Sequence, residues 1–332
     1  MKAVVYEHYG PAELLHLADV PRPEPLDDEV LVRVRAVAVT RADVATRDAN
    51  RNGGPAVMVI SRLVSGVRGP RQTILGSEFA GEVAKVGAAV KEFQVGNAVF
   101  GSTGFRFGAY AEFVRVRESA RIAPMPARLS FEQAASITDG GLNALWCLRL
   151  AKPRSGQSIL VYGASGAIGT AGVQLAKHLG YHVTGVTSTK NVDLVRALGA
   201  ETVIDYTRDD FTKNGRAYDV IFDAVGKQSF ARCEQSLKAG GRYLATDGFS
   251  NLMRAVWNSR FGDKKVIFSI PPRYTKQDVY FLKGLVESGE FKPVVDRSYP
   301  LDDVVEASRY VETEQKVGNV ILTLWIRPGL WC

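Results

Sequence analysis

Ile159-Leu-Val-Tyr-Gly-Ala-Ser-Gly-Ala-Ile-Gly-Thr-Ala-Gly-Val-Gln-Leu-Ala-Lys177 decides how this chain is read. It opens on a short apolar run, Ile159 to Tyr162, of the length of a buried strand. Gly163, Gly166 and Gly169 follow. A helical pattern then begins, with Ile168, Leu175, Ala176 and Leu179 on one face and Gly180 placed to end it. Strand, glycine turn and helix in this order suit a dinucleotide pyrophosphate. The glycines let the backbone turn tightly beside the phosphates, and the free N–H groups of the first helical turn face the anion. The spacing is GxxGxxG rather than GxGxxG, so a ligand-free strand–helix turn competes as a reading of the motif alone.

The next apolar run, Val183 to Thr187, reads as a second strand and ends in Thr187-Ser-Thr-Lys-Asn191. Sites that prefer NADH place Asp or Glu near this strand end, bonded to the ribose 2′-hydroxyl. Here the segment offers the hydroxyls of Ser188 and Thr189 and the cation of Lys190, with no carboxylate to repel a 2′-phosphate. NADPH is therefore expected over NADH. A solvated lysine at a helix start is the plainer reading of Lys190.

The chain has 332 residues, enough for two domains. Hydrophobic residues make up 46% and charged residues 23%, the balance of a soluble globular protein. No run of about 18 apolar residues predicts a membrane span. Met1-Lys-Ala-Val-Val-Tyr-Glu7 reads as a strand and not as a signal peptide, so a cytoplasmic location is the default expectation. Cys147, Cys233 and Cys332 are far apart and form no CxxC, which supports neither a disulfide framework nor a cysteine zinc cluster. The formal charge of +7 helps attract an anionic cofactor, but no basic block with interleaved aromatics points to nucleic acid.

Residues 1 to 125 are rich in short β-like runs, among them Glu29–Val39, Glu78–Val86, Ala98–Gly101 and Ala109–Val116, and read as a mostly β, barrel-like domain. Over 126–299 the pattern alternates. Ser158–Tyr162, Val183–Thr187, Thr202–Ile204, Val220–Asp223, Tyr243–Thr246 and Val266–Ile270 are candidate strands of a doubly wound parallel sheet, an α/β fold. Leu301–Glu312 reads as a helix and Asn319–Leu324 as a strand, so that 300–332 partly returns to the first domain. Two segments, 53–71 and 252–265, mix apolar residues with arginine and lysine. They suit the wall of an apolar pocket, a membrane-surface contact, or ordinary surface helices.

Taken together the motifs resemble the medium-chain dehydrogenase/reductase superfamily, in its zinc-lacking quinone oxidoreductase-like branch. The landmarks include Val39-Thr-Arg-Ala-Asp43, Leu75-Gly-Ser-Glu-Phe-Ala-Gly-Glu-Val83, Val95-Gly-Asn-Ala-Val-Phe-Gly101, Gly108-Ala-Tyr-Ala-Glu-Phe113, Gly141-Leu-Asn-Ala-Leu145, Leu198-Gly-Ala-Glu-Thr-Val-Ile-Asp-Tyr206 and Asp223-Ala-Val-Gly226. The resemblance implies a GroES-like catalytic domain, a Rossmann domain and an active site in the cleft between them. It also implies a homodimer. Zinc alcohol dehydrogenases of this superfamily carry metal ligands at the positions of Thr40, Ser77 and, nearby, Asp139. Two hydroxyls and a carboxylate are a poor set for zinc, which prefers thiolate and imidazole. No metal site is therefore expected, nor ordinary alcohol oxidation, which needs a Lewis acid to lower the hydroxyl pKa.

A quinone or an α,β-unsaturated carbonyl needs no such help, because the negative charge that develops on hydride transfer spreads onto an oxygen. The resemblance makes Thr40 the first candidate for a polar contact to substrate or nicotinamide. Asn143 stands where relatives have Thr near the nicotinamide ribose or amide. Asp43 is a catalytic-site candidate that could equally fix a turn. Relatives often have Tyr where this chain has Ala45, which argues against a tyrosine-assisted mechanism. For the cofactor, the resemblance implies Gly163, Ser165, Gly166, Ala167 and Ile168 at the pyrophosphate and Ser188, Lys190 and Tyr206 at the 2′-phosphate. It implies Val225 and Gly226 at the nicotinamide-side ribose and Phe268, Ser269 and Ile270 at the carboxamide. Asn319 replaces a lysine that relatives carry near the cofactor. A 2-enoyl thioester reductase and a non-catalytic NADPH-binding redox sensor are the alternative functions. The C-terminal Trp325-Ile-Arg-Pro-Gly-Leu-Trp-Cys332 has no account in this reading.

Overall fold

In the computed structural model, residues 1–48, 62, 65–246, 263–269 and 272–324 are described. Most of the mixed apolar–basic segments 53–71 and 252–265, together with Ile270 and the C-terminal Trp325–Cys332, lie outside the described residues. The chain forms two compact units. The first comprises Met1–Asp139, Thr275–Gly284 and Val295–Cys332; the second comprises Gly140–Tyr274 and Leu285–Val294.

The first unit is built on a seven-stranded sheet. Its path runs Val295–Pro300, Asn319–Thr323, Glu29–Val39, Glu78–Val86, Ala98–Ser102 and Arg121–Pro124, and Phe113–Arg117 also pairs with Glu29–Val39. All pairings are antiparallel except Val295–Pro300 with Asn319–Thr323. The long strand Glu29–Val39 is rich in valine. Val30, Val32, Val34, Val37 and Val39 are buried with Phe79, Val99, Ile122 and Leu322 in one core, since β-branched side chains pack well on a pleated, covered surface.

This unit reaches beyond residue 125. Phe131–Ala135 is a short helix with a capping box from Ser130 and Gln133. Just after it, the Ser136 carbonyl accepts from Asn319 Nδ2 at 3.1 Å, which holds this stretch to the returning strand. Thr275–Gly284 also belongs to the first unit, where Lys276 Nζ donates to the Glu118 carbonyl at 2.7 Å. These contacts are long-range, which is why local composition does not mark them.

The second unit holds a six-stranded sheet in the order Thr202–Asp205, His182–Thr187, Ser158–Tyr162, Tyr218–Asp223, Leu237–Ala245 and Lys265–Phe268. Every pairing in it is parallel. The strand order is 3-2-1-4-5-6, and it reverses between Ser158–Tyr162 and Tyr218–Asp223, where a doubly wound sheet opens a crevice for a ligand. Ile159, Leu160 and Val161 are completely buried, as expected of a central strand of a parallel sheet covered on both faces.

Candidate cofactor and active site

The pyrophosphate turn follows the strand Ser158–Tyr162. Gly163 has φ +76°, in the left-handed region. A Cβ there would stand 2.5 Å from Val225 Cγ1. Gly169 lies in the first turn of the helix Ala167–His178, and a Cβ on it would come within 2.0 Å of the Gly163 carbonyl oxygen. Turn and helix are thus in backbone contact. Gly166 is the N-cap, in an extended conformation, and no side chain caps the helix. The N–H groups of Ala167 and Ile168 therefore have no side-chain cap, at the positive end of a 12-residue helix. Ser165 Oγ accepts from Thr187 Oγ1 at 2.9 Å, which ties the turn to the end of the second strand. A turn closed to a Cβ at Gly163 and Gly169, under an uncapped helix start, fits a dinucleotide pyrophosphate.

The turn at Val225–Gly226 is organised by Asp223, a completely buried carboxylate that the sequence reading used only as a landmark. Its Oδ1 accepts from Val225 N at 3.3 Å and Gly226 N at 3.0 Å. Its Oδ2 accepts from Gln228 N at 2.7 Å and the Tyr243 hydroxyl at 3.1 Å. Burial raises its pKa, and these hydrogen bonds oppose that rise. An Asp at a strand end followed three residues later by a left-handed Gly226 (φ +68°) was the available signal.

At the other end of the crevice, Ser188 begins a short 3-10 turn over Thr189–Asn191 and its Oγ accepts from Asn191 Nδ2 at 3.3 Å. Lys190 is exposed, and Tyr206 is half exposed with its N–H bonded to the Thr187 carbonyl at 3.0 Å. One expectation is corrected here. A carboxylate does stand at this loop: Asp205, from the adjacent strand, accepts from Thr189 Oγ1 at 2.6 Å. Parallel pairing sets Asp205 opposite Thr187, a neighbourhood invisible in sequence because the two are far apart along the chain.

At the strand end Phe268–Ser269, both the N–H and the hydroxyl of Ser269 donate to the Ala245 carbonyl, at 3.3 and 3.2 Å. The Ser269 carbonyl accepts from Trp146 Nε1 at 2.9 Å. The backbone at Ser269 is thus already bonded to its own unit. Three residues before Trp146 on the same helix, Asn143 Oδ1 accepts from the Tyr274 hydroxyl. The expectation against a tyrosine rested on Ala45 alone, and it missed this phenol beside Asn143. Neither Trp146 nor Tyr274 was singled out from sequence.

In the first unit, Thr40 and Asp43 form a reciprocal cap on the helix Arg41–Arg47. Asp43 Oδ2 accepts from Thr40 N at 2.8 Å and Thr40 Oγ1 at 2.7 Å, while Oδ1 accepts from Gly76 N at 2.9 Å. Thr40 is buried and its hydroxyl proton goes to Asp43, so this hydroxyl is not turned toward a substrate as a donor. Through the Gly76 N–H, Asp43 ties this cap to the turn before Ser77. Burial pushes the Asp43 carboxyl up to about 6, against the hydrogen bonds from Thr40 and Gly76. Next to Ser77, burial pushes Glu78 up to about 7; its Oε1 accepts from Ser102 Oγ at 2.8 Å. Asn319, expected near the cofactor, is buried, with its amide donating to Ser136. The histidines do surface work, as in the His178–Glu290 and His182–Glu201 pairs at 2.7 and 3.1 Å.

Fold and turn together define a nicotinamide-dependent oxidoreductase of the two-domain, Rossmann type. Residues 26–127 match the alcohol dehydrogenase GroES-like domain, and residues 198–322 match the model described as zinc-binding dehydrogenase. The chain is similar to the NADPH-dependent alkenal/one oxidoreductase, chloroplastic, of Arabidopsis thaliana, at 32% identity over 97% of this chain and 79% of that one. It is 30% identical to the trans-enoyl reductase pgmF of Aspergillus terreus, over 90% of this chain and 86% of the other. The solved quinone oxidoreductase of Coxiella burnetii superposes with a TM-score of 0.86 at 27% identity, covering 98% of this chain and 99% of its own. The chain belongs to the medium-chain dehydrogenase/reductase superfamily, in its quinone oxidoreductase-like branch. The zinc in the second model's description does not fit the residues present. By the resemblance, Thr40, Ser77 and, nearby, Asp139 stand at the superfamily's ligand positions, a poor donor set for zinc, and the Thr40 hydroxyl donates to Asp43 in its own helix cap. Among the described residues no group of three or more His, Cys, Asp or Glu is placed to hold a metal ion.

Proposed function

We propose that this protein is a zinc-independent, NADPH-dependent oxidoreductase that reduces quinones or α,β-unsaturated carbonyls. The observation that carries the reading is the donor set at the family's metal positions, two hydroxyls and one carboxylate. With no metal to activate an alcohol, the acceptor must supply its own electrophilicity, and both acceptor classes do. The cofactor, when bound, supplies the hydride, and a proton completes the two-electron reduction. The chain's own residues hold and orient. Gly163, Ser165, Gly166 and the N–H groups of Ala167 and Ile168 receive the pyrophosphate. Ser188, Lys190 and Tyr206 receive the 2′-phosphate. Val225, Gly226 and the strand end at Phe268-Ser269 border the nicotinamide half. Asn143, oriented by Tyr274, is the polar group assigned to that end. Thr40 and Asp43 act as positioning residues for the Gly76-Ser77 turn.

The likeness to a trans-enoyl reductase supports a second reading, reduction of a 2-enoyl thioester. The test is NADPH absorbance on mixing the purified protein with a short quinone, an alkyl enone, an enoyl thioester and an aldehyde. Oxidation by quinone or enone is the expected result. Oxidation by the thioester alone selects the second reading. Tight NADPH binding with no oxidation by any acceptor indicates a redox sensor. Stoichiometric zinc in the purified protein overturns the metal-free assignment. A homodimer is part of the proposal, and light scattering at a mass of two chains is its test.

A further inference from the structure

Asp205, among the described residues, works against the cofactor assigned to this loop. A carboxylate beside the adenosine ribose accepts from a 2′-hydroxyl and repels a 2′-phosphate, and so selects NADH. In this chain it arrives from the strand Thr202–Asp205, paired in parallel with His182–Thr187. It lies next to Thr189, between the two residues assigned to the 2′-phosphate on that loop, Ser188 and Lys190.

Three hydrogen bonds and one ion pair engage the carboxylate. Oδ2 accepts from Thr189 Oγ1 at 2.6 Å and faces Arg208 Nε at 3.6 Å. Oδ1 accepts from Thr207 Oγ1 at 2.7 Å and Thr207 N at 3.0 Å. A carboxylate offers about four lone-pair sites; three hydrogen bonds fill most of them here, and the Arg208 guanidinium faces Oδ2 at ion-pair distance. The two threonine hydroxyls are themselves 3.1 Å apart, so they close over the carboxylate as a pair. Bonds from Thr189 and then Thr207 hold Asp205 below the usual carboxylate range, which keeps it a committed acceptor.

We propose that Asp205 is a silenced NADH selector and that Thr189 is the residue that silences it. The Thr189 hydroxyl takes the acceptor site on Oδ2 that a ribose 2′-hydroxyl would use. Together with Arg208 it also compensates charge that would face a 2′-phosphate. Thr189 thus determines cofactor specificity through Asp205 rather than by touching the phosphate. The inference rests on the NADPH reading given above.

The test is calorimetric titration of the full chain with NADPH, NADH, 2′,5′-ADP and 5′-AMP, which needs no turnover. Thr189→Val removes the hydroxyl at nearly constant shape. The ratio of the NADH to the NADPH dissociation constant is expected to fall about tenfold, the effect of one hydrogen bond to a charged group. NADH should bind more tightly as NADPH weakens, with the same trend in 5′-AMP against 2′,5′-ADP. Thr189→Ser restores the hydroxyl and should keep the wild-type ratio. Adding Asp205→Asn to Thr189→Val should abolish the gain for NADH. A Thr189→Val protein that loses both cofactors by the same factor, or keeps the wild-type ratio, overturns the inference while an NADPH-preferring wild type leaves the function standing. Retention of the NADH gain without the Asp205 charge overturns it as well. A wild type that prefers NADH overturns the cofactor reading and this inference together.

Discussion

Gly169→Ala is the substitution that most directly probes the pyrophosphate turn. The added Cβ would sit 2.0 Å from the Gly163 carbonyl oxygen and 2.8 Å from Ala164 Cα. Both neighbours are backbone, and an ordinary carbon–oxygen contact needs about 3.3 Å. The helix start and the glycine turn must therefore separate by roughly 1 Å, since a packed interior has no slack to absorb the overlap. Overpacking of this kind costs about 1–3 kcal/mol. The same displacement moves the Ala167 and Ile168 N–H groups off the phosphates. Losing one or two charge-assisted hydrogen bonds, each worth about 1.5–3 kcal/mol, predicts a dissociation constant for NADPH raised at least tenfold. Gly284→Ala provides the contrast. Gly284 is exposed in the helix Lys276–Glu287, and a Cβ there meets nothing within 4 Å. Helix propensity alone then predicts a gain of about 0.5–1 kcal/mol. Thermal melts with and without NADPH, together with cofactor titration, read both effects. A Gly169→Ala protein with wild-type melting and wild-type affinity would refute the backbone contact between turn and helix and the anion site built on it.

Other consequences follow from the same geometry. Lys190→Ala should weaken NADPH about tenfold and leave NADH unchanged, as expected for one exposed cation on a phosphate; equal losses in titration would remove Lys190 from the 2′-phosphate site. Asp223→Ala strips the Val225, Gly226 and Gln228 N–H groups of their acceptor and should cost about 3 kcal/mol or more in denaturant melts. It should weaken NADPH as well. For Asp43 the sign follows from its raised pKa: the folded state holds a proton up to about pH 6, against 3.8 for the ordinary carboxyl. Its contribution to stability is therefore fullest below about pH 4 and is lost as pH rises through about 6. Stability measured by denaturant at pH 4 to 7 should shift in favour of Asp43→Asn over wild type with rising pH; a constant difference would show that the carboxyl ionises alike in both states.

Much of the fold was legible in the residues themselves. The apolar run Ile159 to Tyr162 marked a buried strand, and the observed element is Ser158–Tyr162. The alternating strands and helices that follow it marked the doubly wound sheet. The valine-rich run at Glu29–Val39 marked the longest strand of the first unit. These patterns are local, because a strand's burial and a helix's face are written at periods of two and 3.6 residues. The glycine turn was equally plain, since the φ of +76° at Gly163 favours glycine and the backbone contact at Gly169 excludes a Cβ.

Partnership was decided by the tertiary structure alone. Asp205 and Thr189 meet because two parallel strands align. Asp223 reads as one more strand residue until its oxygens are seen to hold Val225, Gly226 and Gln228. The Thr40 hydroxyl seemed available to a substrate until its proton was found on Asp43, and Asn143 stood alone until Tyr274 was placed beside it. A side chain's type is local information, but whether its lone pairs and protons are already taken depends on residues brought together from far along the chain. The residues therefore determined the fold and the class of cofactor, while the packing determined which polar groups are committed to the scaffold.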